Sequence, residues 1–332
     1  MTGRPDLRNA SLLVDRSVEA GRGDKVAYVA ADATLTYEEL RRRVNRMGGA
    51  LRELGVRRED RVLLVLDDTT AFPTAFLGAM RIGAVPVPAS VRDTPEHFRH
   101  FVTDSYAEVV VCDAAMAPAL EDALSGLGVR LVARAPEGGD VVDLDAALAA
   151  ADPELGVVDT HPDDMAFWLY SSGSTGLPKG VVHLHRNVEA VCEGFARQVL
   201  EVDEHDRIFS TTKLYHAYGL GNSLSFPLYF GATSILLAGP PQPERIIATV
   251  REHEPTLYFS VPALYGLVAD DPDAADAFRS ARLCISAAEP LPQRTFDVWH
   301  ERFGIQILDG IGSTEMLQCY CTNRPGAVVP GT

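Results

Sequence analysis

The sequence has no long hydrophobic run. Its residues are 46% hydrophobic, yet no apolar stretch approaches the roughly 20 residues that a membrane-spanning helix needs. The first residues, Met-Thr-Gly-Arg-Pro-Asp, also lack the apolar segment of a secretory signal. These two absences predict a protein that neither spans a membrane nor is exported.

Positive charge is scarce as well. Lys and Arg number 30 against 46 Asp and Glu, which gives a formal net charge of −16. A chain with this balance is not expected to bind nucleic acid or an anionic membrane as its main function. The balance does not exclude a nucleotide ligand, because a local cluster of amides, one lysine and Mg²⁺ can hold phosphates on an acidic protein.

Cysteine is sparse, and its spacing excludes the common zinc and redox motifs. No Cys-x-x-Cys pair occurs among the five cysteines, which are Cys112, Cys192, Cys284, Cys319 and Cys321. Most of them lie in apolar segments, where a reduced thiol behaves as a small hydrophobic side chain. We therefore expect a reducing compartment, the cytoplasm. The sequence gives no indication of the oligomeric state.

The apolar pattern alternates between helices and short strands. A capping box at Thr36–Glu39 opens a helix. Continuous apolar runs such as Val62–Leu66 and Val109–Cys112 are typical of parallel strands that are buried on both faces. Similar strands recur up to Ile305–Leu308, which we expect to be the last strand. This alternation predicts an α/β fold of two helix-covered, largely parallel sheets in a layered arrangement.

The least patterned part of the chain is the Gly- and Ala-rich stretch from Gly138 to Pro153. We place a boundary just after it. Residues 1–158 are then a first α/β subdomain with an N-terminal lead-in. Residues 159–332 are a second subdomain, and it carries the two loops with the most chemistry.

The first of these loops combines glycines, hydroxyls and a lysine between two predicted strands. It runs from Tyr170 to Gly180 and reads Tyr-Ser-Ser-Gly-Ser-Thr-Gly-Leu-Pro-Lys-Gly. Glycines let several backbone N–H groups point into one concavity, and the hydroxyls and the lysine add donors and charge, which suits a polyphosphate. It is not a Walker loop, because Pro178 replaces the second Walker glycine and Lys179 precedes a strand. The alternative is a flexible Gly/Ser connector, which has no need of a lysine.

The second loop, Asp309–Met316, follows the strand at 305–308 directly. It contains two glycines, two hydroxyls and Glu315, an oxygen ligand of the kind that a phosphate-bound Mg²⁺ prefers. The alternative is a turn in which residues Gly312–Glu315 cap a following helix. Ligands collect at the carboxyl ends of parallel strands, so the two loops suit one nucleotide.

Two further segments lie at predicted strand ends. Ser286–Pro292 places small residues before a helix that begins with proline, which leaves backbone carbonyls free to face a planar ring. A plain strand-to-helix turn explains the same residues. Lys213–Gly221 combines aromatic residues, His216 and glycines before a helix. A histidine among aromatic residues is more often a core group than a catalyst.

The two loops resemble the signature loops of the adenylate-forming superfamily, which contains acyl- and aryl-CoA ligases, peptide-synthetase adenylation domains and luciferases. The resemblance covers nearly the whole chain and implies the large N-terminal domain of these enzymes. It is closest to the benzoate–CoA ligase branch on two grounds. Ile311 stands where most of the superfamily has an aromatic residue. Residues 217–222, which overlap the end of Lys213–Gly221, read Ala-Tyr-Gly-Leu-Gly-Asn, as in the benzoate type.

The resemblance implies a role for each segment. The catalytic residues would be Lys179 at the β- and γ-phosphates, Thr314 near the α-phosphate, Glu315 as the ligand of Mg²⁺, and His216 as an aromatic gate to the acyl pocket. The nucleotide would be held by Ser171, Ser172, Gly173, Ser174, Thr175, Gly176, Ala288, Glu289, Pro290, Asp309, Gly310, Ile311 and Gly312. The acyl pocket would be lined by Ala217, Tyr218, Gly219, Gln318 and Cys319.

Two positions depart from the benzoate branch. That branch usually has Phe where this chain has His216, and it tends to have His-Ile in place of Gln318-Cys319. An amide and a smaller thiol predict a pocket that admits a polar ring substituent, such as a hydroxyl or amino group. A hydrogen bond can discriminate between such groups strongly.

The implied activity is a ligation that uses ATP, Mg²⁺ and coenzyme A. A small aromatic carboxylic acid, similar to benzoate, would form an acyl-adenylate, and the acyl group would then pass to the thiol of coenzyme A. One alternative is an enzyme that loads a carrier protein. Another is a non-catalytic protein that senses an aryl ligand on the same fold.

In this superfamily the chain continues beyond the second loop. A small barrel comes first, and a mobile C-terminal domain then supplies a further lysine to the reacting groups. The sequence ends at Thr332. We therefore expect a chain that lacks both parts and that is poorly active or inactive by itself.

Overall fold

The computed structural model describes residues 7–136, 140–171 and 176–330. By their mutual packing, these residues divide into two compact units. The first unit contains the chain up to Lys25 and Leu35–Glu189, and the second contains Val26–Thr34 and the chain from Ala190 onward. The subdomain boundary at 158/159, placed from the sequence, falls inside the first unit and stays a prediction.

The strands are numbered in chain order. They are β1 (Val26–Val29), β2 (Thr34–Thr36), β3 (Arg61–Val65), β4 (Val85–Pro88), β5 (Val109–Cys112), β6 (Arg130–Ala133), β7 (Val141–Asp143), β8 (Met165–Ser171), β9 (Lys179–Leu184), β10 (Arg207–Ser210), β11 (Thr233–Ile235), β12 (Leu257–Ser260), β13 (Leu283–Ser286), β14 (Ile307–Gly312) and β15 (Cys319–Thr322).

The α-helices are numbered in the same way. They are α1 (Leu12–Ser17), α2 (Tyr37–Glu53), α3 (Ala71–Arg81), α4 (Pro95–Ser105), α5 (Ala117–Ala123), α6 (Leu144–Ala150), α7 (His185–Val191), α8 (Ala217–Leu220), α9 (Phe226–Phe230), α10 (Pro243–His253), α11 (Pro262–Asp270) and α12 (Gln293–Phe303). Short π-helical turns lie at Val18–Arg22, Cys192–Ala196 and Gly221–Ser225, and 3₁₀ turns lie at Ala114–Met116 and Pro272–Ala274.

The first unit is built on a parallel sheet with the strand order β4-β3-β5-β6-β7. Its central strands are apolar apart from Arg61 and Arg130, which begin β3 and β6, because helices cover both faces of a parallel sheet. In the register, Leu63 lies opposite Val110, which lies opposite Leu131. A separate antiparallel hairpin, β8-β9, pairs Ser171 with Lys179.

The second unit contains a larger sheet in which β14, β13, β12, β10, β11 and β1 are neighbours in that order and run parallel. Strand β15 adds to β14 in the antiparallel direction. The core on one side of this sheet is aromatic. The indole of Trp299 stacks on Tyr258 at 6.1 Å and meets Tyr265 edge-on at 4.7 Å, and all three side chains are fully buried.

The prediction of helix-covered, largely parallel sheets is confirmed. The capping box is present, since the Thr36 side chain accepts from Glu39 N and the Glu39 carboxylate accepts from Thr36 N. Strand β7 and helix α6 lie in the stretch from Gly138 to Pro153, where no element was predicted. One expectation about an individual element is wrong. The strand at 305–308 is not the last, because β15 follows it. Strand β15 has only four residues, and it gains its stability from pairing with β14 rather than from its own pattern.

Two properties of the side chains and helices bear on the sequence arguments. All five cysteines are free thiols, and four of them are buried. Among the residues that the structure describes, no helix has the length and apolarity to cross a bilayer.

Candidate functional site

Two of the predicted segments meet in the second unit at the carboxyl ends of neighbouring strands. Residues Ala288–Pro290, which follow β13, and residues Asp309–Gly312, at the end of β14, line one cavity of about 290 Å³. The strands pair in register, with Ser286 opposite Asp309, so the chain leaves both strands at the same edge of the sheet. The cavity therefore brings together the segments that were expected to face an adenine ring.

The backbone of this cavity is unusual at Ala288. Its φ angle is +77°, in the left-handed region that side chains other than glycine rarely adopt. Such strain persists where the surrounding structure maintains it, and it is concentrated at ligand sites. Ala288, Glu289 and Pro290 are all exposed, so the strained turn lies at the surface of the cavity rather than in the core.

The carboxyl group of Asp309 is the polar anchor of the cavity. The side chain is 8% exposed, its Oδ2 accepts from Leu291 N at 3.0 Å, and its Oδ1 has no hydrogen-bond partner among the described residues. Burial raises the pKa of this carboxyl group. Oδ1 is covered by the surrounding protein, and a buried acceptor without a partner costs free energy.

The glycines of this segment are needed for close packing. A Cβ on Gly310 would lie 2.8 Å from Sγ of Cys319, and a Cβ on Gly312 would lie 3.0 Å from the carbonyl oxygen of Gln318. The glycines thus allow β15 to approach β14, while Ile311 between them is exposed at the cavity.

Thr314 and Glu315 follow β14 in a tight turn. Met316 N donates to Ser313 Oγ at 3.3 Å, and Leu317 N donates to Thr314 O at 3.1 Å. No helix begins here, because the chain continues into β15, and the alternative of a helix cap at Gly312–Glu315 is therefore wrong. The side chain of Glu315 is exposed and that of Thr314 is half-buried, so both stand at the surface beside the cavity.

Gln318 holds this turn against another part of the second unit. Its side chain is 2% exposed, its Nε2 donates to Oδ1 of Asn222 at 2.9 Å, and its Oε1 accepts from Cys319 N at 2.9 Å. Asn222 in turn donates to Ser210 Oγ at 3.3 Å. The preceding residue, Leu317, has a φ angle of +63°, a strained conformation that these contacts maintain.

The amide of Gln318 is thus engaged at both ends by groups of the chain itself. Its assignment to the acyl pocket stays a prediction. To recognise a ring substituent, Gln318 would have to donate the second N–H of its Nε2, because the first is bonded to Asn222. A Cβ on Gly221 would lie 2.4 Å from the same Nε2. Sequence reasoning did not find the role of Asn222. The only signal was its place at the end of the Ala-Tyr-Gly-Leu-Gly-Asn segment.

The segment around His216 forms the start of α8. His216 is exposed and its ring lies 4.8 Å from that of Tyr215, so the alternative of a buried core histidine does not apply. Ala217 is the first residue of α8, and Tyr218 donates from its hydroxyl to the Ile285 carbonyl at 3.1 Å. That bond ties α8 to β13, next to the strand end that carries the cavity.

Two small residues complete the predicted acyl pocket. Gly219 is buried, and a Cβ there would lie 2.1 Å from the carbonyl oxygen of Lys213, so only glycine fits. Cys319 is buried as well, and burial together with the charge of Asp309 raises the pKa of its thiol to about 12. This thiol is therefore a packing group and not a nucleophile.

The hairpin of the first unit carries the glycine- and hydroxyl-rich loop. Four residues of that loop, Ser172, Gly173, Ser174 and Thr175, lie outside the described residues. At its two ends, Ser171 is half-buried at the end of β8 and Lys179 is exposed at the start of β9. Gly176 has a φ angle of +142°, and no atom of the described residues lies within 4 Å of the place a Cβ would take. A loop between two strands was expected here, and the flanking strands are present.

Helix α4 braces both ends of this loop, which the sequence did not predict. His100 donates from Nε2 to the Pro178 carbonyl at 2.7 Å. Tyr170 donates from its hydroxyl to Asp104 at 2.7 Å, and its ring lies 4.4 Å from that of Phe101. Burial, and then the hydrogen bond to Asp104, raise the pKa of Tyr170. Residues spaced over one helix face thus fix the two strands where the loop begins and ends.

The residues present fit a nucleotide, and they leave most ligands of its metal to phosphate and water. The cavity offers strained backbone and close-approach glycines, and these suit a planar ring such as a purine. Within residues 7–136, 140–171 and 176–330, no group of three or more His, Cys, Asp or Glu side chains could hold a metal ion. A Mg²⁺ ion at Glu315 would therefore need phosphate and water oxygens for its remaining ligands.

Comparison with known proteins bears directly on this arrangement. Residues 14–332 match the family described as AMP-binding enzyme. The chain is 43% identical to the benzoate–CoA ligase of Thauera aromatica over 99% of its own length and 63% of the relative. It superposes on a benzoate CoA ligase from Burkholderia xenovorans LB400 with a TM-score of 0.91 and 41% identity, covering 98% of this chain and 65% of the other.

A second solved structure is the anthranilate CoA ligase AuaEII in complex with anthranoyl-AMP. It superposes with a TM-score of 0.94 at 30% identity, over 99% of this chain and 64% of the other. The chain spans about three fifths of the length of the curated relatives that it matches. These findings confirm the resemblance read from the signature loops, and the chain belongs to the family of AMP-binding enzymes.

Proposed function

We propose that this protein activates an aromatic carboxylic acid with ATP and passes the acyl group to coenzyme A. The observation that carries the proposal is the cavity shared by Ala288–Pro290 and Asp309–Gly312, with Thr314 and Glu315 directly after it. The similarity to a benzoate–CoA ligase and to a structure that binds anthranoyl-AMP supports an aryl acid as the substrate.

In the first step, a carboxylate oxygen of the acid forms a bond to the α-phosphorus of ATP. The bond from that phosphorus to the bridging oxygen breaks, and pyrophosphate leaves with the electron pair. Charge develops on the phosphate oxygens, so catalysis depends on positioning and on charge neutralisation. No nucleophile of the protein is required. In the second step, the thiol of coenzyme A replaces AMP at the acyl carbon.

The residues of the chain have distinct tasks in this proposal. Lys179 and the hydroxyls of the loop before it hold the terminal phosphates, and Thr314 donates to the α-phosphate. Asp309 accepts from Leu291 N through its Oδ2 and so fixes the wall of the cavity. Mg²⁺ held by Glu315 would supply the remaining neutralisation of phosphate charge. His216 stands between the nucleotide and the acyl pocket.

The acid we propose carries a small polar group on its ring. The support is the sequence difference at Gln318-Cys319, which replaces the His-Ile of the benzoate branch. In the structure both side chains are buried, and the Gln318 amide bonds to Asn222 and to Cys319 N. The free thiols of the chain support a reducing compartment, and we place the reaction in the cytoplasm.

Calorimetry of ATP binding with and without Mg²⁺ tests the central claim. We expect binding that strengthens at least tenfold with Mg²⁺, and we expect Glu315→Gln to remove most of that difference. Glu301→Gln, at an exposed position on α12, is the matched control. It leaves the strengthening of ATP binding by Mg²⁺ unchanged. Binding of an aryl acid without any Mg²⁺-dependent binding of ATP would identify a sensor of aryl ligands and overturn the proposal.

Pyrophosphate exchange over a panel of benzoates tests the substrate class. Exchange that is faster with hydroxy- or aminobenzoates than with benzoate supports a polar ring substituent. A preference for benzoate over every substituted acid would contradict it. The acceptor is tested by supplying coenzyme A or a phosphopantetheinylated carrier protein as the thiol, and thioester on the carrier alone would contradict the assignment of coenzyme A.

A further inference from the structure

The first unit contains a cleft, remote in sequence from every loop discussed above, between α2, α3 and α6. Its volume is about 260 Å³. It is lined by Arg43, Arg46 and Met47 of α2, by Thr70, Ala71 and Thr74 at the start of α3, by Arg134 after β6, and by Leu144, Asp145, Leu148 and Ala149 of α6. We call it the arginine cleft.

The charge of the arginine cleft is opposite to that of the chain. Three guanidinium groups line it against the single carboxylate of Asp145, among the lining residues that the structure describes, whereas the whole chain carries −16. Asp145 pairs with Arg134 at 3.1 Å. The two remaining arginines thus leave the cleft with uncompensated positive charge.

The arginines of α2 show this contrast within one helix. Arg41 and Arg42 both pair with Glu38 at 2.9 Å. Arg43 donates only to the neutral hydroxyl of Thr70, at 3.3 Å, and Arg46 has neither a hydrogen bond nor an ion pair with any described residue. Residues three apart on a helix lie on the same face, so Arg43 and Arg46 present their guanidinium groups together.

Below these charges the walls of the cleft are apolar. Met47 and Leu144 are buried at 1% and 2% exposure, and Ala71 and Leu148 complete the wall. An apolar wall under a pair of guanidinium groups matches a ligand with a hydrophobic body and an acidic end. A planar guanidinium pairs with the two oxygens of a carboxylate.

We propose that the arginine cleft binds a small organic carboxylate with an apolar body. Arg43 and Arg46 receive the carboxylate, and the body lies on Met47 and Leu144. The volume is at the small end of known ligand pockets, which favours a compact ring or branched chain over a nucleotide. This proposal does not rest on the proposed function, since the cleft lies wholly in the first unit and the cavity in the second.

The side chain of Met47 provides a local probe. The protein is prepared with ¹³C-methyl methionine, and the Met47 resonance is identified by its loss in Met47→Leu. Benzoate is then titrated, with inorganic phosphate and the neutral amide benzamide as comparison ligands. We expect a saturable shift of the Met47 methyl with benzoate and no shift with either comparison ligand.

Variants of α2 distinguish benzoate binding in the arginine cleft from benzoate binding elsewhere on the protein. The double variant Arg43→Gln/Arg46→Gln keeps the length of the side chains and removes the charges, and we expect it to weaken the benzoate titration of Met47 at least tenfold. Arg42→Gln is the matched control on the same helix and leaves the titration unchanged. Thermal unfolding of the variants verifies that they fold, as expected for exposed positions.

Three outcomes would overturn the proposal. They are the absence of a saturable Met47 shift, a titration that the double variant leaves unchanged, and a shift of the same size with inorganic phosphate. A titration that shifts Met316, in the second unit, but not Met47 would place benzoate near the proposed active site alone. It would thus contradict the arginine cleft and support the proposed function.

Discussion

The carboxamide of Gln318 and that of Asn222 join segments that lie 96 residues apart, with Nε2 of Gln318 donating to Oδ1 of Asn222 at 2.9 Å. Both side chains are at most 2% exposed. Their bond fixes the end of the turn that carries Thr314 and Glu315 against the π-helical turn at Gly221–Ser225. The position of the proposed metal ligand therefore depends on a polar contact in the interior.

Replacement of Gln318 by methionine tests this contact. Gln318→Met preserves the length of the side chain but leaves Oδ1 of Asn222 and the Cys319 amide without partners in the interior. We expect the free energy of unfolding to fall by about 1–3 kcal/mol, measured by urea denaturation. Gln293→Met is the control, because Gln293 is exposed on α12 and bonds only to Asp297. Equal losses in both variants would contradict an interior role for Gln318.

Asp309 predicts an unusual pH dependence of stability. Its pKa is raised by burial, so its contribution to stability is complete below the ordinary pKa of aspartate, near 4, and is lost as the pH rises through the raised value. Asp309→Asn removes this loss. We expect the variant to be more stable than the wild type at neutral pH, with the difference vanishing at acid pH.

Asp206 is the control for Asp309, because its pKa is shifted in the opposite direction. Burial of Asp206 acts to raise its pKa, but hydrogen bonds from Arg282 at 2.8 Å and Thr256 at 2.6 Å lower it overall. Asp206→Asn is therefore expected to lose stability above the ordinary aspartate pKa. Urea denaturation from pH 3 to pH 8 compares the two variants, and curves of the same sign would contradict the burial argument for Asp309.

Two glycines of the second unit are expected to change the free energy of unfolding in opposite directions when each is replaced by alanine. At Gly219 a Cβ would lie 2.1 Å from a backbone oxygen, so Gly219→Ala forces the start of α8 to move and is expected to cost at least 1–3 kcal/mol, as overpacking does. Gly266 lies inside α11 with nothing within 4 Å of a Cβ. Gly266→Ala is expected to gain about 0.5–1 kcal/mol from helix propensity. Denaturation measures both, and a tolerated Gly219→Ala would contradict the packing described.

His100 predicts an effect on nucleotide binding through the phosphate loop. His100→Leu removes the hydrogen bond to the Pro178 carbonyl, whose net value is about 0.5–1.5 kcal/mol, and we expect MgATP affinity to fall by roughly twofold to tenfold. His97→Leu is the control on the same helix, because His97 bonds to Asp93 and not to the hairpin. Calorimetry compares the two, and equal affinities would show that the brace does not position the loop.

Much of the fold was predictable because its strands are encoded locally. Apolar runs such as Val109–Cys112 and the capping box at Thr36 carry their own signal, and the structure places β5 and α2 where the pattern predicts them. The β7 strand and α6 were missed because an Ala-rich stretch has little periodicity. Strand β15 was missed because four residues, Cys319–Thr322, form a strand only when β14 is there to pair with.

The candidate site was predictable in its composition but not in its contacts. Glycines, hydroxyls and carboxylates at the ends of strands are visible in the sequence, and the cavity at Asp309–Gly312 lies at one of those ends. The links from Gln318 to Asn222 and from His100 to Pro178 span 96 and 78 residues. No local pattern specifies such pairs, because their partners become neighbours only through the topology.

The sequence by itself determined the alternation of helices and strands, the acidic charge and the family to which the chain belongs. Each of these depends on residue types and on their spacing over short stretches of chain. Only the tertiary structure decided that Ala288 and Asp309 border one cavity and that Gln318 serves the interior. It also decided that Arg43 and Arg46 stand over an apolar wall without an ion-pair partner among the described residues. Those facts depend on which distant segments exclude water from one another, and burial of that kind is a property of the folded chain as a whole.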